Sequence, residues 1–197
     1  MMRYRRLFDV IGAAAGLAVF APAMTVIAVA LLIDDGLPVF FRQERLGQRR
    51  RPFRILKFRT MRDGRVTRIG RVLRATGLDE LPQFFNILRG EMSAVGPRPL
   101  TAEDVARLGW TGSEFDFRWM CRPGLTGLAQ LLGARADGDA LLWDRVHAGD
   151  WRPTLDCQLI AWSFAVNAFG KARTRQWLRR RYGTERQPGA SALQGLP

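Results

Sequence analysis

From Val10 to Ile33 the chain runs for 24 residues without a charge, and Pro22 sits at the middle of the run. About 20 apolar residues suffice to cross the hydrocarbon core of a bilayer, so the segment is long enough to be embedded in one. Three arrangements compete. A cleaved signal peptide would use Arg3, Arg5 and Arg6 as its basic start and Ala21-Pro22-Ala23 as a loose cleavage site, but the apolar run continues past it to Ile33. A straight transmembrane helix would carry Pro22 as a kink. A re-entrant helix would enter one leaflet, bend at Ala21 and Pro22, and leave on the side it entered. Positive flanks mark the cytoplasmic side of a membrane segment. Here Arg3, Arg5 and Arg6 precede the run, and Arg42, Arg45, Arg49, Arg50, Arg51 and Arg54 follow it. A spanning helix must export one basic flank, whereas a bent one exports neither. Asp34 and Asp35 close the run with two carboxylates, which suits an exit into interfacial water. The flanks and the central proline favour the bent arrangement.

Charge is the second constraint. The chain of 197 residues carries a formal net charge of +13, and 29 of its 31 basic residues are arginine. Arginine presents a permanently charged fork matched to phosphate geometry. The implied partner is phosphate-rich: nucleic acid, an anionic membrane or a phosphorylated small molecule. Two cysteines and one histidine exclude a disulfide scaffold, a Cys-rich zinc module and a His-rich metal site. Between Arg42 and Arg74 the net charge is +11, so most of the excess lies directly after the apolar run. Beside a membrane segment such density points to lipid phosphates.

The remainder reads as a small α+β unit, mainly helical. Val39–Phe41 and the Phe53, Ile55, Leu56, Phe58 run predict two strands around a basic turn. Ile69, Val72 and Leu73 recur at helical spacing among arginines, which predicts an amphipathic basic helix at the membrane interface. Leu81, Phe84, Phe85 and Leu88 predict a helix from about Asp79 to Arg89, ended by Gly90. Asp79 and Glu80 then fall in its first turn, where the helix dipole is expected to depress the acid and hold Asp79 ionised. Capping is the commoner use of such an aspartate. An ionised carboxylate can instead serve as a nucleophile or hold a divalent cation. Pro97 and Pro99 stiffen the turn around Arg98, which suits either a structural turn or presentation of one arginine to phosphate. Arg122–Gly127 is a second Pro-Gly turn. Trp143, Trp151, Trp162 and Trp177 are read as packing or membrane-interface residues, and His147 as a packed or solvent-facing side chain instead of a catalytic base. Lys171–Arg181 is a second basic segment.

These blocks resemble the bacterial sugar transferases, the small monotopic phosphoglycosyl transferases that act on polyprenol phosphate. RLFDVIGAAAGLAVFAPAM, FRQERLGQRRRPFRILKFRTM, LDELPQFFNILRGEMSAVGPRPL and RPGLTGLAQLLG occur in the family's order. The resemblance implies a membrane-embedded re-entrant helix (1–36, broken at Pro22), a catalytic domain (37–186) on the cytoplasmic face of the bacterial inner membrane, and a disordered tail (187–197). It implies transfer of a sugar 1-phosphate from a UDP-sugar to undecaprenyl phosphate, with release of UMP. Asp79 maps to the nucleophile, with Glu80 assisting and Mg2+ bridging Asp79 to the diphosphate. Lys57, Arg59 and Arg98 map to phosphate contacts. A homodimer is compatible with it.

Departures from the family pattern mark particular positions. Ala21 replaces the serine that often precedes the bend, so Pro22 is expected to act largely alone. The connection from Met61 to Asp79 is short. Thr76, Gly77 and Leu78 stand where a serine commonly precedes the acidic block, Leu128 stands in place of a common Trp, and the aromatic pair is weak around Val146 and His147. Asp156 matches a common acidic position. A nucleic-acid-binding module would want aromatics interleaved with the basic stretch for base stacking. Gly64–Leu78 contains none, so no nucleic-acid partner is expected. A degenerate scaffold protein is the third alternative, and the intact Asp79-Glu80 and Arg98 speak against it.

Overall fold

The structure, a computed structural model, describes residues 2–132, 140, 141, 144, 145, 148 and 153–169. The readings at Trp143, Val146, His147, Trp151, the 171–186 basic segment and the 187–197 tail lie outside these residues.

The apolar run lies within one α-helix, α1 (Met2–Asp35). Helical structure continues through Pro22, so the expected break does not interrupt the helix. Proline removes one backbone donor and crowds the carbonyl one turn back. Thr25 Oγ1 donates to Ala21 O at 3.0 Å in the same turn. Such back-bonding also tends to bend helices.

α1 has two unlike faces. Ala13, Gly16, Phe20, Met24, Ile27 and Leu31 pack onto the rest of the chain. On the opposite face Tyr4, Leu7, Ile11, Val19, Val26, Val29 and Ile33 form an exposed apolar stripe, with Ile33 80% exposed. Both faces are apolar, as expected of a helix that meets protein on one side and lipid on the other. Both ends are tied down. Arg6 donates to Ile87 O and Leu88 O, and Arg5 donates to Val95 O at 2.8 Å. Asp9 accepts from Ser93 Oγ and Ala94 N at 2.9 and 2.8 Å. At the far end Arg59 donates to Asp35 O and Gly36 O, and Arg62 to Asp35 O.

The predicted hairpin is present: β1 (Phe40–Leu46) pairs antiparallel with β2 (Pro52–Phe58), Phe41 opposite Lys57 and Arg45 opposite Phe53. Two short strands, β3 (Met61–Arg62) and β4 (Arg65–Val66), turn the chain into the basic helix α2 (Arg68–Thr76). Thr67 caps α2 by accepting from Gly70 N. The helix expected over 79–89 is shorter. Leu78–Glu80 forms a 3-10 turn, and α3 (Gln83–Arg89) begins after Pro82 and ends at Gly90. The reason is Gly77, at φ 76°, which terminates α2 and leaves the acidic pair in the connection rather than in a helical first turn.

β5 (Ser93–Val95) lies parallel to β6 (Gly124–Thr126), a pairing not anticipated from the two Pro-Gly turns. It demands glycine at the crossing: a Cβ on Gly124 would lie 2.0 Å from Gly96 N. Helices α4 (Ala102–Arg107), α5 (Asp116–Trp119), α6 (Leu128–Leu132) and α7 (Pro153–Phe169) complete the described fold. Leu128 is buried with Val95, Leu155 and Leu159 where these helices meet β5. Asp156, on α7, is buried with its carboxylate 3.9 Å from Arg5 Nε, so it faces the base of α1.

Candidate active site

The elements meet around a cavity of about 310 Å³. Its charged wall is built from four separate stretches: Arg45 and Lys57 from the hairpin, Arg74 from α2, Asp79 and Glu80 from the 3-10 turn, and Arg98 from the stiff turn after β5. Ile55, Leu125, Leu131 and Val166 supply an apolar wall, with Thr126, Gln130 and Ser163 among them.

Local packing fixes each contributor. Asn86 is fully buried and links α3 to β2. Its Nδ2 donates to Arg54 O and Glu91 Oε2, and its Oδ1 accepts from Leu56 N. That clamp sets the acidic turn beside Lys57, whose Nζ donates to Glu80 Oε1 at 2.7 Å. Arg74 is held by its Nε donating to Thr60 Oγ1. Leu46 N donates to Leu100 O at 2.8 Å, which brings the end of β1 to the Arg98 turn. Arg45 Nη1 donates to Asp104 Oδ2 at 3.2 Å, and Nη2 to Gln43 Oε1 at 2.6 Å. Arg98 itself is exposed between buried Pro97 and Pro99, and its carbonyl accepts from Arg118 Nη2 at 2.6 Å.

The electrostatics correct one expectation. The Asp79 carboxyl is pushed above its ordinary range, first by burial and then by the Glu80 charge, with Lys57 and Arg74 opposing. The Asp79 backbone N–H also lowers it, but the acid precedes α3 instead of opening it. Arg45 is lowered by burial and by neighbouring Arg98, with Asp104 opposing. Two guanidiniums that repel across a cavity are a natural seat for a phosphate.

Of the site residues expected from sequence, Asp79, Glu80, Lys57 and Arg98 come together. Arg59 does not line the cavity. Its guanidinium closes the C-terminal end of α1 through Asp35 O and Gly36 O, because β2 runs antiparallel to the hairpin partner that leaves that helix. Ala21 and Pro22 lie exposed at mid-helix. Sequence reasoning did not single out Arg45, Arg74, Gln83 or Asn86 for the site. Arg45 and Arg74 were hidden in a crowd of arginines, and Asn86 shows its role only once its three partners are in place.

The Mg2+ expectation can be tested on the donors. Among the described residues no cluster of three or more His, Cys, Asp or Glu side chains could cage a metal. Mg2+ is commonly held by one or two carboxylates plus substrate phosphates and water, not by an all-protein cage. Asp79 and Glu80, adjacent and mutually repelling, fit that donor set.

A half-buried carboxylate pair shares the cavity wall with several basic side chains, beside a long helix with an exposed apolar face. Residues 1–170 match the family model for bacterial sugar transferase, and the chain belongs to that family. It is similar to the UDP-glucose:undecaprenyl-phosphate glucose-1-phosphate transferase of Caulobacter vibrioides, 46% identical over 149 residues, covering 66% of this chain and 54% of that protein. It is 39% identical over 150 residues to the UDP-N-acetylgalactosamine-undecaprenyl-phosphate N-acetylgalactosaminephosphotransferase of Aeromonas hydrophila, covering 68% and 36% of the two chains. The exopolysaccharide production protein PSS of Rhizobium leguminosarum bv. phaseoli is 33% identical over 187 residues, covering 79% and 90%. The chain thus spans about half or less of the first two relatives and most of the third.

Proposed function

We propose that the protein is a phosphoglycosyl transferase that moves a sugar 1-phosphate from a UDP-sugar to undecaprenyl phosphate, at the start of membrane-linked polysaccharide synthesis. The observation that carries this reading is the division of labour in the acidic pair. Lys57 is engaged by Glu80, while Asp79 makes no ion pair among the described residues and faces a cavity walled by Arg45, Arg74 and Arg98. A carboxylate that burial makes more basic, and that no cation pairs with directly among the described residues, is poised as a nucleophile.

In the first step an Asp79 Oδ attacks the sugar-bearing phosphorus. The new Oδ–P bond forms as the P–O bond to the second phosphate breaks, and UMP leaves with the electron pair. In the second step an oxygen of undecaprenyl phosphate attacks the same phosphorus, and Asp79 leaves as carboxylate. Two difficult encounters between anions are thereby separated. The Arg45 and Arg98 guanidiniums hold phosphate oxygens, and Lys57 fixes Glu80 beside the reacting carboxylate. Asp79 and Glu80 would hold Mg2+, which would supply charge neutralisation between carboxylate and diphosphate.

The membrane placement follows from α1. One domain binds both ends of the helix through Arg5, Arg6, Arg59 and Arg62, while the exposed stripe faces away. This supports a helix that enters and leaves on one face, bent at Ala21 and Pro22, with the domain on the cytoplasmic side where its arginines meet anionic lipid.

The decisive assay measures UMP release from a panel of UDP-sugars in the presence of undecaprenyl phosphate and Mg2+. The expected result is release with at least one sugar; no release with any overturns the reading. Cysteine labelling at Met2 and Gln48 is expected to place both positions on the cytoplasmic side.

A further inference from the structure

Gln83 is the third residue after Glu80 and lines the same cavity, yet nothing among the described residues uses its amide nitrogen. The side chain is buried, with the residue 2% exposed, and Nε2 has no hydrogen-bond partner among the described residues. A buried donor left unsatisfied destabilises a fold, whereas an apolar side chain of similar shape in its place would be neutral or stabilising. Asn86, on the same face of α3 one turn on, shows how completely this helix satisfies a buried amide when structure is the purpose. The acceptor-bearing side chains of Asp79, Glu80, Thr126, Gln130 and Ser163 line the same cavity, but none is hydrogen-bonded to Gln83 Nε2. An amide N–H also repels a metal cation. What fits is an anionic oxygen brought into the cavity from outside.

We propose that Gln83 Nε2 donates a hydrogen bond to a non-bridging oxygen of the phosphoryl group that Asp79 attacks, and so is a further catalytic residue of the transfer. The inference rests on the transferase reading above. The donor is fixed before substrate arrives, because the side chain is buried and its backbone opens α3. A preorganised donor aimed at charge that shifts during reaction acts on the transition state more than on the ground state. The effect is therefore expected in kcat more than in KM.

The test compares wild type, Gln83→Met and Gln83→Leu in nanodiscs, reading thermal unfolding and steady-state UMP release with each accepted UDP-sugar. The expected result is a kcat lower by about 10²-fold, as for loss of one oxyanion donor, with KM within about threefold and a Tm equal to or above wild type. The loss is expected to be the same for every sugar. Unchanged kcat in a folded variant overturns the proposal, and so does unfolding of both variants, which would make the amide structural. A loss that varies with the sugar moves the contact to a sugar hydroxyl and also overturns it. If wild type releases no UMP, the transferase reading falls and takes this inference with it; if wild type is active and Gln83→Met matches it, only the inference falls.

Discussion

Two carboxylates in this protein are displaced upward by burial, and they do opposite work. Asp144 is buried against Arg118, whose Nε donates to it at 2.7 Å. Burial raises the Asp144 carboxyl and the guanidinium opposes that shift. Arg118 is in turn enclosed by the Trp110 and Trp119 rings at 5.3 Å and donates to Arg98 O. Every charge in that unit has a dedicated partner. Asp79 has an adjacent like charge, a lysine already engaged by Glu80, and an open cavity in front of it. The saturated unit holds the Arg98 turn in place, and the unsaturated one is the proposed nucleophile.

The largest expected effect separates these roles. Asp79→Asn is expected to lower UMP release by on the order of 10³-fold or more, as loss of a covalent nucleophile does. It is not expected to lower stability. Because the folded protein raises the Asp79 pKa, it binds that proton more tightly than the unfolded chain does. The ionised carboxylate therefore opposes folding at pH 7 and favours it, once protonated, at low pH. Asparagine removes that opposition, so Tm at pH 7 should stay level or rise. Full turnover by the variant would sink the nucleophile assignment, and a large drop in Tm would make Asp79 structural.

Next comes Arg118→Met, which leaves Asp144 buried without its cation. A loss of about 3–5 kcal/mol is expected in chemical or thermal unfolding, the usual result of orphaning one member of a buried pair. Replacing both, as Arg118→Met with Asp144→Leu, should recover most of it. If the single variant unfolds no more readily than wild type, the pair is not the saturated unit described here.

How far these two regions could be read without coordinates differs for a physical reason. The hairpin, the basic helix and the acidic block announce themselves through spacing that is local in the chain, and so does Gly90 as a helix end. Lys57, Asp79, Glu80 and Arg98 were legible because their motifs are short and rigid. The boundary error at Asp79 came from Gly77: periodicity carries no sign of where a left-handed residue resets the helix. The parallel pairing of β5 with β6, the Arg118–Asp144 unit and the Asn86 clamp join residues far apart in sequence. Arg45 and Arg59 illustrate the limit best, since identical side chains fourteen positions apart go to a cavity wall and to a helix end.

Lys57→Met is expected to act between these extremes. It removes a charged hydrogen bond worth about 1.5–3 kcal/mol, so activity at pH 7 should fall by roughly 10- to 100-fold. The pH profile is the sharper readout. Lys57 lowers the Asp79 pKa in the folded protein, so its loss raises that pKa further. The acid limb of kcat/KM, which reports ionisation of the free enzyme's nucleophile, should move to higher pH. An unmoved limb would mean that Lys57 acts on Glu80 alone.

The smallest effect is predicted for Arg59, and it is the one on which sequence and structure part most clearly. The motif places Arg59 among the phosphate contacts. The structure spends its guanidinium on Asp35 O and Gly36 O, at the C-terminal end of α1 and away from the cavity wall. Arg59→Ala should therefore lower stability by about 1–3 kcal/mol through loss of charged hydrogen bonds to carbonyls, while kcat and KM for the UDP-sugar stay within about threefold. Arg98→Ala, which empties the cavity side, should do the reverse, raising KM with little change in Tm. A KM raised tenfold or more by Arg59→Ala would put that guanidinium on substrate after all, and the end of α1 would then belong to the active site instead of only supporting it.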